Sequence, residues 1–363
     1  MRRFLLSVAL ALCALALPAQ TTALGVAMEG ASEVPPGDFN GVGFADLVLE
    51  GTTLRYAVVV FNIDPPTSMH IHRGRRGETN APLITFSLPF SREPGCPSLG
   101  APSCVERFLS VGTLEISPDD AGTLRTQPAD LYLNVHNDPH PAGAVRGQIQ
   151  HARYIPIVGD TPGAAGTHWF TRFAALNRSI VSASEWLIEF IPQSPAGNTD
   201  RYLAVQNAIS PSNLYFSTTF PVPNYTGIGA ARVLSDEPME VTASVYNGMG
   251  GARGDFGYSV RGRGIEEART AGLLIDLTAS SAADVQARTG HRSNIGYFNP
   301  QLRSVDVTFR AYGRDGSLLG ERVVTMPPGA MAQPAAFDLI DTVPAAQRVR
   351  DAFWVSWTAN API

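Results

Sequence analysis

The sequence predicts an all-β protein made of several units, and three observations carry that prediction. First, 34 glycines and 28 prolines punctuate the 363 residues, which is turn chemistry rather than long-helix chemistry. Second, short apolar runs alternate at a period of two: Val305, Val307, Phe309 and Ala311 share one side, Asp306, Thr308 and Arg310 the other. Third, only 16% of the chain is charged, and few stretches carry the spacing of a long amphipathic helix. The length suits two or three domains.

The N-terminus reads as an export signal over residues 1–23. Arg2 and Arg3 precede an apolar run over 4–17, Pro18 breaks it, and Thr21-Thr22-Ala23 supplies small residues for a cut near Ala23. The run falls short of the ~18 residues a spanning helix needs. No later stretch is long and apolar enough either. The mature chain is therefore expected to be secreted, periplasmic or at the cell surface, with no transmembrane segment. Net charge is −5, lysine is absent, and no basic patch carries interleaved aromatics, which argues against nucleic acid as a partner. Beyond the signal the cysteines are Cys96 and Cys104, in a Pro/Gly-rich loop. An even pair in an exported chain reads as a disulfide, worth roughly 2–3 kcal/mol for so short a loop. A two-thiolate metal site is the alternative.

Strand patterns follow one another from residue 44. Residues 44–49 and 54–61 form a hairpin around Gly51-Thr52, and Ile63-Asp64-Pro65-Pro66 turns into Met69-His70-Ile71-His72-Arg73-Gly74. Residues 82–88 and 108–116 are further strands. Ser117-Pro118-Asp119-Asp120-Ala121 opens a capped helical turn. A strand over 131–136 ends before Pro139, and 145–149 returns.

Strand alternation puts His70 and His72 on one face, and Tyr132, Asn134 and His136 on one face of the later strand. His140 belongs to the turn. If the two strands pair, four imidazoles can converge, so His70, His72, His136 and His140 are the candidate metal ligands, with copper or zinc as the ion. The other reading leaves His70 and His136 hydrogen-bonded to backbone, Tyr132 or Asn134 in a polar layer. Arg146 reads as an internal hydrogen-bond partner of the closing turn, and His151 and His168 as exposed. No phosphate loop, nucleophile elbow or zinc-protease helix is present.

Three segments together resemble the bacterial form of the chordin-type (CHRD) domain. They are Gly30-Ala31-Ser32-Glu33-Val34-Pro35-Pro36, His70-Ile71-His72-Arg73-Gly74, and Tyr132-Leu133-Asn134-Val135-His136 with His140-Pro141-Ala142-Gly143-Ala144-Val145-Arg146-Gly147-Gln148. The resemblance implies a secreted β-sandwich or barrel over 25–153; in animal chordin such domains belong to a protein that binds growth factors. Ala144 departs from the acidic residue expected before Val-Arg-Gly, and the cysteine loop resembles an insertion.

Glycine-rich 159–166 reads as flexible, which sets a linker over 154–166. Beyond it, Phe170-Thr171-Arg172-Phe173 and His291-Arg292-Ser293-Asn294-Ile295-Gly296 each precede a strand pattern. They resemble the tandem repeats of exported bacterial proteins, which implies immunoglobulin-like β-sandwiches over 167–264 and 265–363. Ala282 to Arg288 is expected to be a short helix, and Phe353 to Trp357 a last core strand. Arg253-Gly254-Asp255 matches a receptor-binding tripeptide but reads as a hairpin tip.

His70-Ile71-His72 also resembles the histidine pair of copper/zinc superoxide dismutases, without their bridging histidine or spaced aspartate. The function expected is therefore non-catalytic binding or display, with an extracellular protein or cell-surface polymer as partner. A Cu/Zn-binding module is the alternative, and a dismutase-like enzyme the remoter one.

Overall fold

The computed structural model describes residues 21–87, 89–93, 107–163, 167–197, 202–223, 225–247, 256–287 and 289–363. Cys96, Cys104 and Arg253-Gly254-Asp255 lie outside the described residues, as does the leader up to residue 20. The protein is all-β with a few helical turns.

The N-terminal unit contains β1 (Thr21–Glu29), β2 (Val42–Glu50), β3 (Thr53–Phe61), β4 (Pro66–Arg73), β5 (Pro82–Thr85), β6 (Ser91–Glu93), β7 (Arg107–Glu115), α1 (Pro118–Thr126), β8 (Leu131–Asn137) and β9 (Val145–Gln148). Antiparallel pairing runs β5–β4–β8–β9–β1–β2–β3–β7–β6. The sheet curls so that Leu24 and Val26 of β1, Leu47 of β2 and Val58 of β3 join Met69, Ile71, Leu133 and Val135 in one core. Burying each such side chain contributes roughly 1.5–3 kcal/mol. Ser117 caps α1 as expected, its hydroxyl accepting from the Asp120 amide at 3.1 Å. Thr21 to Ala23, placed in the leader by sequence, pair with Glu50 to Val48, and Ala23 is buried. A cut after Ala23 would strip the start of β1.

The expected linker over 154–166 is not there through residue 162. β10 (Gln150–Pro162) begins beside β1 and continues unbroken into the next unit. Its glycine-containing end is held as strand because β15 pairs with it as far as Asp160 and β11 takes over at Thr161 and Pro162, so tertiary pairing overrides weak strand propensity. The second unit adds β11 (His168–Asn177), β12 (Ser184–Pro192), β13 (Tyr202–Ile209), β14 (Leu214–Ser217), β15 (Gly227–Ser235), β16 (Met239–Asn247) and β17 (Phe256–Arg261). Sheets β13–β12–β15–β10 and β14–β11–β16–β17 enclose a core of Ile155, Phe173, Trp186, Ile188, Phe190, Val233 and Val241. This is a two-sheet sandwich.

The third unit has β18 (Ala271–Ala279), α2 (Ala282–Gln286), β19 (Tyr297–Phe298), β20 (Val305–Gly313), β21 (Leu318–Met326), β22 (Met331–Ala332), α3 (Ala336–Leu339) and β23 (Arg350–Ala359). One four-stranded sheet, β18–β23–β20–β21, packs against the short β19–β22 ladder and α3. The expected second full sheet is replaced because Pro327, Pro328, Pro334 and Pro344 break the chain between β21 and β23 into turns. Val305, Val307, Phe309 and Ala311 are all buried, as their alternation requires, and Phe353 and Val355 join them.

The first two units meet face to face. Ala23 and Val48 pack on Ala152, Leu187 and Leu234. At the centre, Arg232 on β15 lies directly opposite Glu189 on β12. Its guanidinium donates to both Glu189 carboxylate oxygens, at 2.6 and 3.1 Å, and to Asp46 on β2. His151, expected at the surface, is half-buried at this joint.

Candidate functional site

The polar residues of the N-terminal unit gather on the outer face of β4–β8–β9, since the inner face is used by the core. Register sets the rows: His70 stands opposite Asn134 and Arg146, His72 opposite Tyr132 and Gln148, Ser68 opposite His136. His70 and His72 share a face because they are two apart, and His136 sits diagonally beside His70. The ring centroids are 5.6 Å apart for His70–His72, 5.0 Å for His70–His136 and 6.5 Å for His72–His136. One ring nitrogen from each lies within 4.8 Å of the others.

Backbone carbonyls fix two of the three tautomers. His136 Nδ1 is 3.0 Å from the Pro141 carbonyl, and His72 Nδ1 is 2.7 Å from that of Asn80. A carbonyl only accepts, so both Nδ1 atoms carry hydrogen and both Nε2 atoms carry lone pairs. His136 Nε2 takes up a 3.1 Å contact with His70 Nδ1, which makes His70 the donor. His72 Nε2 is buried with no partner among the described residues.

Burial, reinforced by neighbouring imidazoles, holds His70 below the ordinary histidine pKa; burial does the same for His136 despite the Pro141 carbonyl. Both rings are thus neutral at pH 7. Ring-nitrogen NMR titration should give midpoints for these two below 6.5, and a midpoint at or above that value contradicts the burial argument.

His140 does not join the cluster. β8 ends at Asn137, and the turn places the His140 amide on the Asn137 side-chain oxygen at 2.9 Å. The alternative of a hydrogen-bonded polar layer is met at one contact, His136 Nδ1 on the Pro141 carbonyl; His70 bonds His136 rather than backbone, Tyr132 or Asn134.

Beside the histidines, Tyr132 stacks on His72 with centroids 4.9 Å apart, and the Arg146 guanidinium lies 3.6 Å from the Tyr132 ring centre. Arg146 is 2% exposed and donates to the Glu78 and Arg75 carbonyls at 2.9 and 3.2 Å. It therefore anchors the loop after β4, where the sequence suggests the closing turn. That loop also supplies Asn80, the His72 anchor.

Sequence reasoning gave no role to Glu33, which reaches this face from the turn after β1 and is 5% exposed. Burial pushes its pKa up to about 7, against the opposing pull of Arg146 and Asn134. Its Oε1 and the Asn134 side-chain oxygen are both buried without partners among the described residues. Gly143 makes room for it: φ is +143°, and a Cβ there would lie 2.4 Å from the Glu33 carboxyl carbon. Glu33 is the carboxyl beside Arg146, where an acidic residue at 144 was expected. A glutamate two residues before Pro35-Pro36 was the available signal.

Glu33 and Arg146 line a cleft of about 690 Å3 between the first and second units. Gln148, Phe44, Met28 and Ala31 also line it, and the Arg76–Glu185 ion pair, at 2.5 Å, crosses between the units.

No curated protein and no solved structure matches the chain. Residues 24–149 match the family model for the CHRD domain, the same span that carries the histidine face and one wall of the cleft. The N-terminal unit of this chain is a CHRD domain.

Proposed function

We propose that this chain is an exported, non-catalytic binding protein, and that the cleft between its CHRD domain and the following sandwich receives the ligand, an extracellular protein or cell-surface polymer. The observation that carries the reading is the unpartnered, buried Glu33 Oε1 in the wall of that cleft, next to the Arg146 guanidinium. A buried acceptor without a donor costs about 1–3 kcal/mol, and a ligand donor offsets that cost. A space of this size suits a short peptide or glycan segment. Export is supported by the leader pattern in residues 1–23. No helix among the described residues is long and apolar enough to cross a membrane.

Ala31 is exposed and lines the cleft, so Ala31→Arg is expected to obstruct it without disturbing a core. Immobilised mature protein is expected to retain at least one of purified peptidoglycan, a cell-surface polysaccharide fraction, collagen or fibronectin. Ala31→Arg should weaken that retention at least about tenfold. Retention of none of the four, or retention indifferent to Ala31→Arg, defeats the reading.

A further inference from the structure

We infer that His70, His72 and His136 form a binding site for one borderline divalent transition ion, Zn2+ or Cu2+, distinct from the cleft and independent of what the cleft binds. Three features of the geometry lead there. One ring nitrogen of each histidine lies within 4.8 Å of one from each of the other two. Metal–nitrogen bonds of about 2.1 Å at a tetrahedral angle need about 3.4 Å between ligand atoms, so the rings close by at most about 1.4 Å through side-chain rotation. Two of the three lone pairs are already fixed: the Asn80 and Pro141 carbonyls hold the Nδ1 hydrogens of His72 and His136, leaving Nε2 bare in each. This carbonyl–histidine arrangement is the outer support that metal-binding histidines ordinarily have.

The third feature is that one of those lone pairs has nothing to bind. His72 Nε2 is buried and unpartnered among the described residues, and the imidazole is held in place by Tyr132 on its face. The large majority of buried side-chain polar atoms have a hydrogen-bond partner, so this one calls for an explanation. His70 completes the set: its Nδ1 hydrogen moves to Nε2 and Nδ1 becomes the third ligand, with no net proton released. Imidazole-only ligation selects zinc and copper over calcium and magnesium, which take oxygen. Three protein ligands leave a position open for water or an exogenous group.

The test uses mature full-length protein stripped with chelator and titrated with Zn2+ or Cu2+ alone, in competition with a chromophoric chelator. One equivalent should bind, with Cu2+ electron paramagnetic resonance showing coupling to three nitrogens. His70→Gln and His136→Gln should each weaken binding at least about tenfold and reduce the coupling to two nitrogens, with unchanged circular dichroism showing that they fold. His140→Ala should bind like the parent. Parent affinity weaker than about 10 µM, or affinity indifferent to His70→Gln, overturns the site. Ala31→Arg should leave metal affinity untouched, so failure of this site and failure of the cleft are separately visible.

Discussion

Arg232→Ala is expected to destabilise the protein by about 3–5 kcal/mol, because it removes the guanidinium that compensates the fully buried Glu189 carboxylate at the joint between the first two units. Glu189 is 0% exposed and Arg232 is 2% exposed, so neither can recover water without opening the interface. Thermal unfolding followed by calorimetry should show a midpoint lower by roughly 5–15 °C. The combined variant Asp46→Asn, Glu189→Gln, Arg232→Met should recover most of that loss, since replacing all partners of a buried ion cluster is far less costly than removing one. If Arg232→Ala unfolds within about 1 °C of the parent, the triad does not hold the units together.

Glu33→Gln should act in the opposite direction. The Glu33 pKa is raised from 4.5 to about 7, so the folded protein binds the proton more tightly than the unfolded chain. Below pH 4.5 both states are protonated and the carboxyl costs nothing extra. Between pH 4.5 and 7 the unfolded chain ionises first, so stability falls as pH rises; above pH 7 the full cost persists. A shift of that size corresponds to about 3 kcal/mol. Urea denaturation at pH 8 should therefore find Glu33→Gln more stable by about 2–3 kcal/mol, with the advantage vanishing near pH 4. Equal stability of variant and parent at pH 8 would show that the carboxyl is not held in the unfavourable environment described. Retaining glutamate at this cost fits a group kept for binding rather than for folding.

Much of the histidine face could be read from residue order. The two-residue spacing of His70 and His72, the alternation through Tyr132, Asn134 and His136, and the break at Pro139 together set which side chains share a face, because strand periodicity is local. The turn after Asn137 was harder. The same proline that ends β8 sends His140 off on a path that depends on the Asn137 side chain, and alternation has nothing to say about it. The linker expected over 154–166 gives way to strand through residue 162 for a different reason. Glycines over 159–166 look flexible in isolation, but β15, some seventy residues on, pairs with β10 as far as Asp160, and β11 continues the pairing at Thr161 and Pro162. Asp46 and Arg232 are 186 residues apart, so no local pattern announces that they meet. Glu33 belongs with them: its environment is made by Asn134 and Arg146, which only folding brings near.

The unbroken β10 also governs how the molecule meets anything larger than itself. Units joined by a swivelling tether lose orientational freedom when one partner engages both, and that loss weakens the complex. Here the CHRD domain and the sandwich are ribs of a single backbone ladder, so their exposed surfaces stand at one angle before any partner arrives. Whatever touches both sides of the joint meets surfaces whose relative placement is already set by the pairing of β10 with β1 and β15.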